Sequence, residues 1–106
     1  MGGIRGNLIH KVPPRSRVDI MATILEDVRS SAQGLRKTRL MYGCNLSFRQ
    51  LKVYLKLLED KKFLSVTLAN DGNGSVKIYR ITEEGMSFLT AYNELRNRLK
   101  EDRLTR

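Results

Sequence analysis

One segment of the chain, residues 47 to 61, constrains the fold more than any other, because a helix there would have two different faces. Ser47 and Gln50 form an S-x-x-Q pattern, which is typical of a capping box at a helix N-terminus. Apolar residues then recur at the i, i+3, i+4 and i+7 spacing of one helix face. These residues are Leu51, Tyr54, Leu55 and Leu58. The segment is therefore predicted to form a helix over residues 48 to 61 that packs this face on a core.

The opposite face of this helix is basic over its first three turns. Its outward positions, with the same spacing, are Arg49, Lys52, Val53 and Lys56. The surrounding run from residue 28 to residue 58 contains seven basic residues and no Asp or Glu. A merely solvated helix face usually mixes charge signs, because oppositely charged i,i+4 pairs stabilise it. The missing acids therefore favour contact with a polyanion, and a plain solvated surface is the alternative interpretation.

The composition of the whole chain agrees with a polyanionic partner. Its 106 residues suit one small domain, and a net charge of +9 favours nucleic acid first and an anionic membrane surface second. The single cysteine excludes an intrachain disulfide and favours a reducing, intracellular setting. No apolar run approaches the roughly 18 residues of a membrane span, and the N-terminus lacks the apolar centre of a signal peptide. A cytoplasmic protein without a membrane partner is predicted.

Two further helices are predicted before the two-faced helix. Ser16 begins the first, whose apolar residues recur at helical spacing, and Gly34 is predicted to end it. A short second helix is predicted over residues 36 to 43. It precedes the two-faced helix by only a few residues, so the two form a helix-turn-helix pair.

After the helices, the hydrophobic period changes from helical to alternating. Residues 64–69 and 75–81 are predicted strands, and the Asn70–Gly74 turn between them has the glycines of a tight hairpin. A long helix is predicted from Thr82 to Leu104. The predicted fold is mainly helical α+β, a winged helix-turn-helix with a long C-terminal helix. The predicted domains are a flexible basic arm (1–15), a winged-helix domain (16–81) and a dimerisation helix (82–106).

The predicted fold indicates which basic and polar residues would contact double-stranded DNA. In a helix-turn-helix the second helix enters the major groove, and residues of the first reach the phosphate backbone. The candidate DNA-binding residues are Arg36, Lys37, Arg39, Asn45, Ser47, Arg49, Gln50, Lys52, Lys56, Lys77 and Arg80. For Ser47 the capping role is sufficient by itself, and for Gln50 capping and base reading are equally good interpretations. Lys77 and Arg80 fall on opposite strand faces, so only one of them is expected to reach DNA.

The C-terminal helix has a second apolar stripe with heptad spacing. Its members, the candidate dimerisation residues, are Phe88, Tyr92, Leu95 and Leu99. The stripe is longer than a small core needs, which predicts a homodimer in which two such helices pair antiparallel. The alternative is packing on the first helix, which the sequence favours for Met86 to Leu89.

The sequence contains no pattern that indicates catalysis. His10 has no second histidine to form a metal site, and no base with recognisable spacing accompanies Cys44, which is predicted to be a small core residue. P-loop, GxGxxG and HExxH motifs are absent from the sequence. No enzyme activity, metal, cofactor or small-molecule substrate is predicted.

Two stretches carry a resemblance to a known family: GLRKTRLMYGCNLSFRQLKVYLKLLEDKKFL and YRITEEGMSFLTAYNEL. They resemble the archaeal winged-helix proteins of the ten-kilodalton Sulfolobus chromatin-associated DNA-binding group, over about residues 17–100. The resemblance implies a homodimer joined by an antiparallel coiled coil, and double-stranded DNA binding with little sequence preference. It assigns DNA reading to Phe48 through Lys61, the wing to Asn70 through Gly74, and the dimer helix to Thr82 through Leu104. The basic arm is longer than the family pattern.

The function expected from these observations is non-enzymatic, nucleoid-associated DNA binding that organises or compacts the chromosome. A sequence-specific winged-helix transcription regulator is the alternative, because Arg49, Lys52 and Gln50 could also read bases. A protein-interaction module on the same fold is a third possibility, which the acid-free run argues against.

Overall fold

The computed structural model describes residues 15–104, with side chains described as far as residue 100. It has four helices and a two-stranded antiparallel sheet, which confirms the predicted mainly helical α+β winged-helix fold. The predicted element boundaries match within a residue or two, except at the end of the first helix. The elements are α1 (Arg17–Arg29), α2 (Lys37–Gly43), α3 (Phe48–Asp60), β1 (Leu64–Asn70), β2 (Ser75–Ile81) and α4 (Glu83–Leu104).

Helix α1 begins as predicted and ends earlier than predicted. Ser16 caps it in a capping box with Asp19, and the helix stops at Arg29. The prediction that Gly34 ends this helix is therefore wrong. Gly34 has a φ of +87°, and a Cβ there would lie 2.7 Å from the carbonyl oxygen of Tyr79. The glycine is needed where the loop passes close to β2.

The core lies among the first three helices and the base of the hairpin. Its fully buried side chains, in order of size, are Ile24, Leu25, Leu40, Leu51, Leu58, Val28 and Cys44. Burial, followed by the nearby Asp27 carboxylate, raises the pKa of the Cys44 thiol to about 12. The thiol is therefore protonated at neutral pH and serves as a small core group, as its sequence context predicted.

The hairpin forms the wing and is anchored to the loop before α2. Strands β1 and β2 pair in register from Leu64 opposite Ile81 to Asn70 opposite Ser75. Leu35 adds an isolated bridge to Tyr79, with backbone N···O distances of 3.0 and 2.8 Å. This bridge fixes the base of the wing against the start of the helix-turn-helix.

The first half of α4 packs on the rest of the domain. Gly85 is buried, and a Cβ there would lie 2.3 Å from the carbonyl oxygen of Phe63, so the close approach of this helix requires glycine. Leu89 is buried, and the Phe88 ring stacks on that of Phe63 with centroids 5.0 Å apart. The helix then continues beyond these contacts to Leu104.

The predicted arm meets the described structure at its last residue. Arg15 donates from Nη1 to the Cys44 carbonyl at 3.0 Å and from Nη2 to the Asn45 carbonyl at 3.3 Å. It therefore lies against the C-terminal end of α2. The rest of the predicted arm, residues 1–14, lies outside the described residues. Within residues 15–104, no helix combines the length and the apolar character needed to cross a bilayer.

Candidate nucleic-acid interface

Helix α3 separates its two sets of side chains as predicted. Its capping box is present: Ser47 Oγ accepts from the Gln50 backbone N–H at 3.1 Å, and Gln50 Oε1 accepts from the Ser47 backbone N–H at 3.0 Å. Leu51, Leu55 and Leu58 are buried, and Tyr54 is half-buried. The opposite side chains, all exposed, are Arg49, Lys52, Val53 and Lys56.

Gln50 takes part in the capping box, so part of its hydrogen-bonding capacity is already used. Its Oε1 accepts from the backbone N–H of Ser47 and keeps one lone pair, and its Nε2 can donate. Arginine and lysine only donate. The outward polar side chains of the first three turns, on Arg49, Gln50, Lys52 and Lys56, therefore carry mostly donors. Such a surface suits phosphate oxygens and the acceptor groups of base edges.

Four lysines from three elements converge beside α3. Lys37 at the start of α2, Lys52 and Lys56 on α3, and Lys77 on β2 line a groove of about 250 Å³, here called the lysine groove. Glu59 and Asp60 line its far end. The ammonium of Lys37 lies 5.0 Å from the centroid of the Phe48 ring, a cation–π contact that holds it against the first turn of α3. The fold thus brings lysines from α2, α3 and β2 together in one groove, with the two carboxylates beside them.

The two candidate residues of the hairpin, Lys77 and Arg80, lie on opposite faces of β2. The register places Lys77 on the face that carries Tyr79, toward the lysine groove. Arg80 lies on the opposite face, where its Nη1 donates to Thr67 Oγ1 at 3.0 Å. The structure therefore brings Lys77, and not Arg80, together with α3.

Known proteins share the arrangement of α2, α3 and the hairpin. Residues 14–100 match the family model described as winged helix-turn-helix. The chain belongs to the winged helix-turn-helix family. No curated protein sequence matches the chain significantly.

Solved winged-helix structures share this architecture. One is Sso10a-2, a DNA-binding protein from Sulfolobus solfataricus: 26% identity and a TM-score of 0.66, over 86% of this chain and 92% of that one. A PadR family transcription regulator from Clostridium difficile has 21% identity and a TM-score of 0.65, over 81% of this chain and 93% of that one. MepR from Staphylococcus aureus, in a complex with DNA, has 16% identity and a TM-score of 0.65, over 80% of this chain and 62% of that one. The last two likenesses show the fold alone.

The remaining candidate residues lie at the start of α2, within α2 and in the turn before α3. Arg36 and Arg39 are exposed at the N-terminal end and middle of α2. Asn45 lies in the turn before α3 with a φ of 54°, a left-handed conformation that asparagine tolerates. Its side chain is exposed, and its carbonyl accepts from Arg15.

Two acidic side chains, Asp71 and Asp60, lie beside candidate DNA-binding residues, and the sequence analysis assigned them no role. Asp71 of the wing turn lies 3.6 Å from Arg36, and Asp60 lies 3.6 Å from Lys56 one turn before it. The second pair could have been found from its i,i+4 spacing. The first pair joins residues far apart in the chain, so no local pattern indicates it. Exposed apolar residues at the surface, Tyr42, Phe48 and Leu68, were missed as well.

The candidate dimerisation stripe on α4 divides into two parts. Phe88 and Tyr92 make contacts within the chain, and the Tyr92 hydroxyl donates to the carboxylate of Asp19 on α1. This hydrogen bond, followed by that from Ser16, lowers the pKa of Asp19. Burial, followed by the hydrogen bond to Asp19, raises the pKa of Tyr92. Leu95 and Leu99 are 58% and 56% exposed.

Proposed function

We propose that this protein is a non-enzymatic double-stranded DNA-binding protein that acts as a homodimer with little sequence preference. It organises or compacts the chromosome and is associated with the nucleoid in the cytoplasm. The proposal rests mainly on one observation, the exposed basic face of α3 beside the lysine groove. Arginine and lysine side chains neutralise phosphates, and phosphate contacts carry no sequence information directly. The likeness to Sso10a-2, a DNA-binding protein, supports the DNA-binding part of this proposal.

The mechanism follows from the positions of the basic side chains. Helix α3 lies in the major groove, and Arg49, Lys52 and Lys56 neutralise phosphates on its two sides. Lys37 and Lys77 extend the positive surface from α2 and the wing. Binding is driven largely by the release of counterions from the DNA, so the affinity falls steeply as salt is added. Two such surfaces on one dimer hold two duplexes, or two sites on one duplex, close together.

A competition assay over a salt series tests this function. A labelled duplex of arbitrary sequence is bound and challenged with unlabelled genomic DNA, and the logarithm of the binding constant is plotted against the logarithm of the salt concentration. Each neutralised phosphate contributes about −0.9 to the slope. The Arg49→Ala/Lys52→Ala double variant is expected to bind more weakly and to have a slope shallower by about 1.8, because two phosphate contacts are lost.

A matched variant separates local contacts from total charge. Arg98→Ala/Lys100→Ala removes the same charge from exposed positions on α4 and is expected to leave the slope nearly unchanged. Binding that barely depends on salt would contradict the mechanism. A preference of about a thousandfold or more for one sequence over genomic DNA would instead identify a sequence-specific regulator.

A further inference from the structure

The wing turn contains an acidic residue in a position that works against DNA binding. Asp71 lies between the two strands, at the tip of a hairpin whose neighbours on α2 and α3 are basic. Its Oδ2 lies 3.6 Å from Nη1 of Arg36, and the Asp71 side chain is only 27% exposed. Arg36 is one of the candidate phosphate ligands. The carboxylate of Asp71 competes with phosphates for Arg36, so its presence at this position requires a physical explanation.

The two oxygens of Asp71 have separate tasks. Oδ1 accepts from the backbone N–H of Asn73 at 2.9 Å, which shapes the wing turn. Oδ2 faces the guanidinium of Arg36, the N-cap residue of α2. One side chain thus connects the tip of the wing to the helix-turn-helix. It adds to the Leu35–Tyr79 bridge, which fixes the base of the wing.

We propose that Asp71 is a positioning residue that occupies Arg36 in the free protein and is displaced by a DNA phosphate. In the free protein it holds the wing tip against the start of α2. When DNA binds, the phosphate takes over Arg36, and the wing tip is released to follow the groove. Asp71 thereby lowers the affinity for DNA, because the ion pair with Arg36 must break before the phosphate can bind. This inference rests on the proposed DNA-binding function.

The competition is physically reasonable because both partners of the ion pair are partly solvated. Exposed ion pairs contribute roughly 0 to 1 kcal/mol, so a phosphate can displace the carboxylate at little cost. A guanidinium binds phosphate bidentately, with charge-assisted hydrogen bonds that are stronger than a contact at 3.6 Å. Arg36 is also half-exposed and close to the basic helix surface, so it can turn toward DNA without unfolding α2.

The Asp71→Asn variant tests the inference, because asparagine keeps the oxygen that accepts from Asn73 and removes the charge. A ¹H–¹⁵N correlation spectrum verifies that the Asn73 amide is unchanged. We expect DNA affinity to rise roughly two- to fivefold, the range that corresponds to release of an exposed ion pair. We also expect the salt slope to stay nearly unchanged, because Arg36 contacts the phosphate in both complexes.

Two controls make the outcome decisive. Glu94→Gln removes the same charge from an exposed position on α4 and should change neither quantity appreciably. In an Arg36→Gln background, Asp71→Asn should no longer raise the affinity. If Asp71→Asn behaves like Glu94→Gln, or raises the affinity equally without Arg36, the inference is wrong. Absence of any DNA binding by the wild-type protein would instead contradict the proposed function itself.

Discussion

Helices α3 and α4 both carry an apolar stripe, and the two stripes have different surroundings. On α3, Leu51, Leu55 and Leu58 are all buried within the chain. On α4, the apolar side chains near the start of the helix contact the domain, whereas Leu95 and Leu99 are more than half exposed. A leucine stripe by itself therefore does not reveal what covers it.

The difference between the two helices follows from where each one lies. Helix α3 is enclosed by α2 and the hairpin, so its inner face is buried within one chain and its outer face stays exposed. Helix α4 passes the edge of the core after Tyr92, whose hydroxyl donates to Asp19 on α1. Beyond that point Leu95 and Leu99 are exposed, and a second copy of the same helix would have the matching stripe.

The largest expected effect concerns the inner face of α3. Leu51→Ala removes a side chain with no exposed area, and it should lower the free energy of unfolding by about 2–5 kcal/mol. The same substitution at Leu95 should cost much less at low protein concentration, because that side chain is exposed. Urea denaturation at two protein concentrations measures both effects. Equal losses at the two positions would remove the distinction between the helices.

The second effect concerns the outer half of α4. Each substituted leucine is lost twice in a dimer, so Leu95→Ser alone should weaken dimerisation by roughly a hundredfold or more, given about 1.5–3 kcal/mol per buried leucine. Sedimentation equilibrium at tens of micromolar protein measures the change. Leu68→Ser, at a similarly exposed leucine on the wing, should leave the dimer intact. A wild-type protein that is monomeric under these conditions would contradict the homodimer.

The two helices also show what local sequence can predict. The two faces of α3 are predicted from the spacing of its residues, and the hairpin is predicted from alternating hydrophobicity and its glycines. The structure confirms both predictions. The function of Gly34 depends on Tyr79, and the pairing of Arg36 depends on Asp71, each more than thirty residues away in the sequence. Such contacts leave no periodic signal. Whether the candidate residues contact DNA stays a prediction.

A smaller effect concerns the point where α4 leaves the domain. Tyr92→Phe removes the hydrogen bond to Asp19 and should lower stability by about 1 kcal/mol at neutral pH. The folded-state pKa of Asp19 is lowered, so this stabilisation is complete above its unfolded pKa of about 3.9 and is lost as pH falls through the lower folded-state value. Thermal unfolding from pH 6 to pH 2 should show a smaller acid loss for Tyr92→Phe. Parallel curves would mean that Tyr92 does not perturb Asp19.

The smallest effect concerns Val53, an exposed apolar residue whose surroundings differ from those of Leu95 and Leu99. Val53 on the basic face of α3 is 55% exposed, close to the values for Leu95 and Leu99, yet it stands alone among cations. We expect its partner to be DNA, through the methyl group of thymine. A duplex with deoxyuridine in place of thymidine lacks that methyl, so wild type should bind it about three- to fourfold more weakly, the equivalent of roughly 0.8 kcal/mol. Val53→Ala should bind both duplexes almost equally and should still form dimers. If wild type shows no thymine preference, the outward face of α3 contacts only the phosphates. If the variant keeps the full preference, Val53 is not the residue that contacts the methyl group.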